Sequence, residues 1–257
     1  MNREHLVEAW KREEAQPFSG WDFSYLHGRM LEDNPPWSYL ARAAELMRQA
    51  SSLLDMGTGG GERLLAMRDH WPANVTVTEE YPPNVRLATE RLGPLGVRVV
   101  EVPLNDVQPM PFDDGEFDLV LNRHSGLNAS EVARILSPGG TFLTQQIHGR
   151  WAWDLIAAMG ARPLTVEQTL EDTAYRLEDA GLVIVTAEDW SGNFAFTDVA
   201  AIVYYLKAIP WIVPGFSVET HLATLLALQE RLERCDRLAF EARKYLVEAR
   251  KPESTRR

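Results

Sequence analysis

The run Leu53-Leu54-Asp55-Met56-Gly57-Thr58-Gly59-Gly60-Gly61-Glu62 puts an acid at the end of an apolar stretch and a glycine-rich turn directly after it. Such a turn, between a strand and a helix, lets the backbone approach a nucleotide without a Cβ in the way. A second acid, Glu79, ends the next apolar alternation, with Glu80 beside it. An acid about 20 residues past a glycine loop is placed to accept hydrogen bonds from ribose hydroxyls. The dinucleotide fingerprint G-x-G-x-x-G does not close here. From Gly57 and Gly59 the third position is Glu62; from Gly59 and Gly61 it is Leu64. A glutamate in the first turn of the helix would also repel a pyrophosphate. Three histidines could act as a general base. His124 follows the stretch Phe117–Asn122 and is the best placed, His148 follows the next apolar stretch, and His27 is third. Arg123 could anchor an anionic substrate.

These residues need a scaffold. From residue 51 short apolar strands at 52–56, 75–79, 97–102, 117–122 and 140–147 alternate with helical stretches at 61–70, 83–92, 128–136 and 166–180. That alternation predicts an α/β fold with a doubly wound, mostly parallel sheet covered on both faces. Two further strands, in 181–190 and 244–251, flank a mostly helical insertion at 198–238. Ahead of the glycine loop, residues 4–15 have helical spacing, and an aromatic-rich loop follows. Pro35-Pro36 are placed to open a helix. The expected division is a helical and aromatic cap at 1–50 and a ligand-binding domain at 51–257.

Composition bounds the function. The 257 residues carry a net charge of −11, a poor default for binding phosphate backbones, so a nucleic-acid substrate is disfavoured. One cysteine, Cys235, excludes an intrachain disulfide and a multi-cysteine zinc site, and no residue cluster suggests a metal. There is no signal core and no run near the ~18 apolar residues of a membrane span, so a cytoplasmic protein is expected.

The stretch Asp55-Met56-Gly57-Thr58-Gly59-Gly60-Gly61 reads D-x-G-x-G-x-G and resembles the first motif of class I S-adenosylmethionine-dependent methyltransferases. The later runs "NDVQPMPFDDGEFDLVLN", "VARILSPGGTFL" and "KYLVEARKP" resemble that family's successive elements, in order, over roughly residues 52–250. The resemblance implies a Rossmann-like methyltransferase fold with a seven-stranded sheet and S-adenosylmethionine as cofactor, leaving S-adenosylhomocysteine as product. It implies cofactor contacts from Asp55, Met56, Gly57, Thr58, Gly59 and Gly61, from Glu79 and Glu80 at the ribose, from Asn105, Asp106 and Val107 at the adenine, and from Asn122. The segment after the fourth of these strands is shorter than in the family, which leaves the site more open there or covered by other parts. Trp37, Tyr39, Arg123, His148 and Tyr205 are the expected acceptor-pocket residues, and the insertion at 198–238 the expected lid.

Asn34-Pro35-Pro36-Trp37 spells the motif of methyltransferases that act on amino groups, but it precedes the glycine loop, follows no apolar strand and reads more simply as a helix start. The expected function is methyl transfer to a small molecule by a monomer or homodimer. The alternatives are an RNA or protein methyltransferase and a non-catalytic domain that binds the cofactor.

Overall fold

The structure, a computed structural model, describes residues 2–18, 22–103, 109–162 and 167–253. Its described residues form one sheet of eight strands in the order β1-β7-β8-β6-β5-β2-β3-β4. The strands are β1 (Met30–Glu32), β2 (Ser52–Met56), β3 (Asn74–Glu79), β4 (Arg98–Glu101), β5 (Phe117–Arg123), β6 (Leu136–Ile147), β7 (Val183–Phe196) and β8 (Leu238–Arg250). The helices are α1 (Arg3–Glu14), α2 (Tyr39–Met47), α3 (Glu62–Ala66), α4 (Pro82–Leu92), α5 (Ala129–Ile135), α6 (Trp153–Ala158), α7 (Leu170–Asp179), α8 (Val199–Ala208) and α9 (Leu222–Leu232). The chain divides into two compact units.

The larger unit comprises Pro36–Ile147, Gln168–Asp189 and Lys244–Arg257. Its centre is parallel: β2 pairs with β3 and β5, β3 with β4, and β5 with β6. β8 closes it antiparallel to β6. Successive side chains of a strand point to opposite faces, and both faces are covered. Leu53, Leu119, Leu121 and Leu143 pack with Ala43, Met47, Leu64, Ala88 and Leu92 from α2, α3 and α4. Leu54, Val120 and Phe142 pack on the other face with Val132, Ile135 and Leu177 from α5 and α7. The doubly wound, mostly parallel sheet expected from the strand–helix alternation is thus present. The order of the central strands reverses between β2 and β5, and the crevice at the carboxyl ends there is the usual ligand position in such sheets.

The helix starts are chemically specified. Asn128 Oδ1 caps α5 by accepting from Glu131 N at 3.2 Å, and Thr169 Oγ1 caps α7 by accepting from Asp172 N at 3.1 Å. α4 begins on Pro82-Pro83, where the missing N–H groups are no loss. α2 differs from expectation. It starts at Tyr39, with Ser38 Oγ accepting from Ala41 N at 3.2 Å, so the serine cap and not Pro35-Pro36 sets its boundary.

The smaller unit comprises Met1–Pro35, His148–Glu167 and Trp190–Arg243. Its core gathers Trp10, Phe194, Phe196, Ile202 and Phe240, each almost fully buried. α8 is buried nearly all round, and Asp198 both caps it, through Ala201 N at 2.7 Å, and pairs with Arg29 at 2.7 Å. The eighth strand is a correction to the expected seven. β1 lies in a segment read as loop and pairs antiparallel with the end of β7, Met30 opposite Phe196. β7 and β8 also run longer than the sequence suggested, each through residues of both units.

Candidate cofactor and acceptor site

The glycine loop leaves β2 at Met56 and enters α3 at Glu62. Gly57, Gly59 and Gly61 have φ of 66°, 64° and 81°, the left-handed region that glycine alone enters freely. A Cβ on Gly61 would lie 2.6 Å from Leu92 Cδ1, so this glycine also lets α3 pack against α4. The loop is tied down from outside. Arg91 of α4 donates to the Gly60 carbonyl and pairs with Glu62. The negative charge at the start of α3 is therefore matched by a guanidinium.

Glu79, at the end of β3, is 5% exposed. Its Oε2 accepts from Gly59 N at 2.8 Å, and its Oε1 accepts from Glu80 N and Tyr81 N, each at 3.0 Å. The carboxylate thus joins the glycine loop to the next strand end and keeps acceptor capacity at Oε2 for a hydroxyl. Glu80 contributes its backbone here, and its side chain is exposed.

Asp55 lies at the other end of the loop. Burial pushes its carboxyl up to about 6, against the pull of the Thr58 hydroxyl and Arg123, with Glu79 adding to the rise. Beside it stands the buried Tyr39 hydroxyl, which makes no hydrogen bond of normal geometry among the described residues. Burial and then the Asp55 charge hold that phenol well above its ordinary value. A half-buried acid whose charge reaches a buried phenol without a normal hydrogen bond is a group that a polar, cationic ligand would complement.

The floor continues across the switch point, where Met56 of β2 is level with Asn122 of β5. The Met56 side chain is in the core and offers only its backbone. Asn122, fully buried, donates to Gly126 O at 2.9 Å and accepts from Gln146 Nε2 at 2.6 Å and Thr144 Oγ1 at 3.3 Å. Both acceptor positions of its Oδ1 are thus taken by the protein. Gln146 Nε2 also reaches Ser125 O at 3.1 Å. These bonds fix the turn after β5, in which His124 has φ 59°, a left-handed conformation uncommon outside glycine.

His124 N donates to Gln145 O at 2.9 Å, and its ring Nε2 lies 3.2 Å from Gln145 Nε2. Trp37 Nε1 donates to Gln145 Oε1 at 2.9 Å. The imidazole is held well below its usual pKa by desolvation and then by Arg123, Lys244 and Arg63. His124 is exposed, so water both limits the desolvation and screens the three like charges.

The expected residues therefore fall into groups. Asp55, Gly57, Thr58, Gly59, Gly61, Glu79, Asn122, Arg123, His124, Trp37 and Tyr39 belong to the larger unit, at or near the carboxyl ends of β2, β3 and β5. Asn105, Asp106 and Val107 lie outside the described residues. His148 and Tyr205 belong to the smaller unit. There His148 Nδ1 accepts from Arg150 N at 3.0 Å, and the Tyr205 hydroxyl accepts from Trp151 Nε1 at 2.9 Å. Burial drives that phenol upward. Sequence reasoning passed over Gln145, Gln146 and Arg91. The available signal was a pair of glutamines closing an otherwise apolar strand.

Residues 54–144 match the family model described as a methyltransferase domain. The matched residues lie within the larger unit, whose sheet has the Rossmann-like fold of the solved structures named below. A fatty-acid O-methyltransferase from Mycolicibacterium smegmatis (strain ATCC 700084 / mc(2)155) is 32% identical over 122 residues, 44% of this chain and 43% of that protein. The match thus spans less than half of that relative. A solved structure described as a candidate methyltransferase from Bacillus halodurans C-125 superposes with a TM-score of 0.59 at 18% identity, over 83% of this chain and 97% of that one. A geranyl diphosphate methyltransferase in complex with S-adenosylmethionine superposes with a TM-score of 0.50 at 15% identity, over 94% of each chain. At these identities the two structures share the fold.

Proposed function

We infer that the protein is an S-adenosylmethionine-dependent methyltransferase with a small-molecule acceptor. The observation that carries this reading is a loop with three left-handed glycines that leaves its strand just after the half-buried Asp55 and is held at Gly59 by the buried Glu79. Glu79 Oε2 suits a ribose hydroxyl. Asp55 suits an ammonium, because a cation beside it would relieve the burial that now raises its pKa. A phosphate would meet the negative charge of Glu79, whose Oε2 already accepts from Gly59 N in the loop. The relative named for fatty acids and the net charge of −11 both support a small molecule over a nucleic acid.

When bound, the cofactor supplies a methyl group already activated by its sulfonium. What remains for the chain is orientation and exclusion of water. On this reading the glycine loop and Glu79 would hold the ribose end of the ligand, Asp55 and Tyr39 its ammonium end, and the turn at Arg123–His124 would meet the acceptor. Calorimetric titration with S-adenosylmethionine, S-adenosylhomocysteine and NADH tests the reading. The two sulfur compounds should bind and NADH should not, and Glu79→Ala should abolish binding while its thermal melt stays cooperative. NADH binding in place of the sulfur compounds would overturn the reading.

A further inference from the structure

His124 looks like a base in the sequence, but its surroundings assign it the opposite role. An indole N–H can only donate, so the Gln145 atom that meets Trp37 Nε1 at 2.9 Å must be the carbonyl oxygen. The Gln145 amide nitrogen is then a donor, and it lies 3.2 Å from His124 Nε2. A neutral imidazole has one donor and one acceptor nitrogen. Nε2 is therefore the acceptor, already engaged, and the ring proton sits on Nδ1. The left-handed turn that carries the ring is fixed by His124 N to Gln145 O, Gln146 Nε2 to Ser125 O and Asn122 Nδ2 to Gly126 O. The ring is thus locked as an N–H donor, in a positive field from Arg123, Lys244 and Arg63.

We propose that this turn binds a carboxylate, and that the protein methylates acids on oxygen with His124 Nδ1–H as a hydrogen-bond donor to the acceptor. The proposal rests on the cofactor reading above. A carboxylate is ionised at neutral pH and needs no base, which fits a histidine whose lone pair is spent on Gln145. In the step, an acceptor carboxylate oxygen forms a bond to the methyl carbon as the sulfur–methyl bond breaks. The electron pair of that bond goes to sulfur, giving a methyl ester and S-adenosylhomocysteine, and no proton moves. An alcohol would have to lose a proton as it is methylated, and the His124 lone pair, engaged by Gln145, is not free to take it.

Two substitutions separate donor from base. Glycine and asparagine both tolerate the φ of 59°. His124→Gly removes the ring, whereas His124→Asn returns an amide N–H close to the position of Nδ1–H. The assay presents a panel of aliphatic acids from acetate to palmitate, aromatic acids and amino acids, each beside its alcohol. Transfer of a deuterated methyl from S-adenosylmethionine is read by mass spectrometry. At least one acid should be esterified and its alcohol left unmodified. On that acid His124→Gly should lose ~100-fold in kcat/KM, the size of a lost hydrogen bond to a charge. His124→Asn should stay within ~10-fold of the parent, and the affinity for S-adenosylmethionine should be the same in all three proteins. An asparagine variant as inactive as the glycine variant identifies a base and overturns the proposal. Binding of S-adenosylmethionine with no acid esterified also overturns it and leaves the cofactor reading standing. Absence of S-adenosylmethionine binding removes both.

Discussion

Replacing Asp55 by asparagine should make the protein more stable and weaken its hold on the cofactor at once. Burial raises the Asp55 carboxyl from 3.8 to about 6. A raised acid holds its proton in the folded state after the unfolded chain has released it. Between roughly pH 4 and pH 6 the native protein therefore binds more protons, and stability falls as pH rises. At about 1.4 kcal/mol per unit, the cost above pH 6 is at most ~3 kcal/mol. The residue is not sealed from solvent, which brings the expected cost to ~1–2 kcal/mol. Asparagine keeps the shape and carries no charge, so Asp55→Asn should gain that amount at about pH 7 and almost nothing at about pH 4, where aspartate is already neutral. The same change removes the partner of an ammonium, a charge-assisted bond worth about 10- to 100-fold in Kd. Thermal melts at the two pH values, beside calorimetric titration with S-adenosylhomocysteine, read both effects. A variant destabilised equally at both pH values would refute the reasoning, because the carboxylate would then be a structural acceptor and not a strained ligand group.

Affinity of the parent protein for S-adenosylmethionine should fall as pH drops through about 6, since Asp55 must ionise to meet an ammonium; a titration series from about pH 8 to pH 5 checks this. Gly61→Ala should cost ~2–3 kcal/mol in urea denaturation, from a left-handed alanine and a Cβ 2.6 Å from Leu92. Gln146→Leu should cost ~2–4 kcal/mol in the same assay, because it strips a donor from the buried Asn122 and Ser125 oxygens. It should also lower esterification by loosening the turn that holds His124.

The parts of the fold legible in the sequence are those whose signal is local. Leu53 to Gly61 carries a buried strand, a turn that needs left-handed backbone and a helix start within a few residues, and Glu79 ends its strand where the alternation ends. The cap of α2 was missed because prolines are a louder signal than the serine that follows them. β1 was missed because Leu31 and Glu32 are exposed and only pairing with the distant Ala195 and Phe194 makes them a strand. The tautomer proposed for His124 was out of reach of the sequence for the same reason. Its partner Gln145 lies on the next strand, and Trp37, which orients Gln145, is 108 residues from it in the chain. A ring nitrogen's donor or acceptor state is set by such long-range contacts, which spacing along a sequence does not record. The insertion at 198–238 carries in α8 a helix whose apolar residues fill the core of the smaller unit. Its composition alone could not separate that packing from a lid.

The most direct test of the account is turnover. The protein, S-adenosylmethionine carrying a deuterated methyl group and the panel of acids are incubated together, and S-adenosylhomocysteine and methylated product are measured in the same sample. The account predicts that the two form in equal amounts, only when an acceptor is present, and that at S-adenosylmethionine concentrations near the parent Kd Asp55→Asn lowers both about 10-fold or more. Product formed without S-adenosylhomocysteine, or full activity in Asp55→Asn, would contradict it.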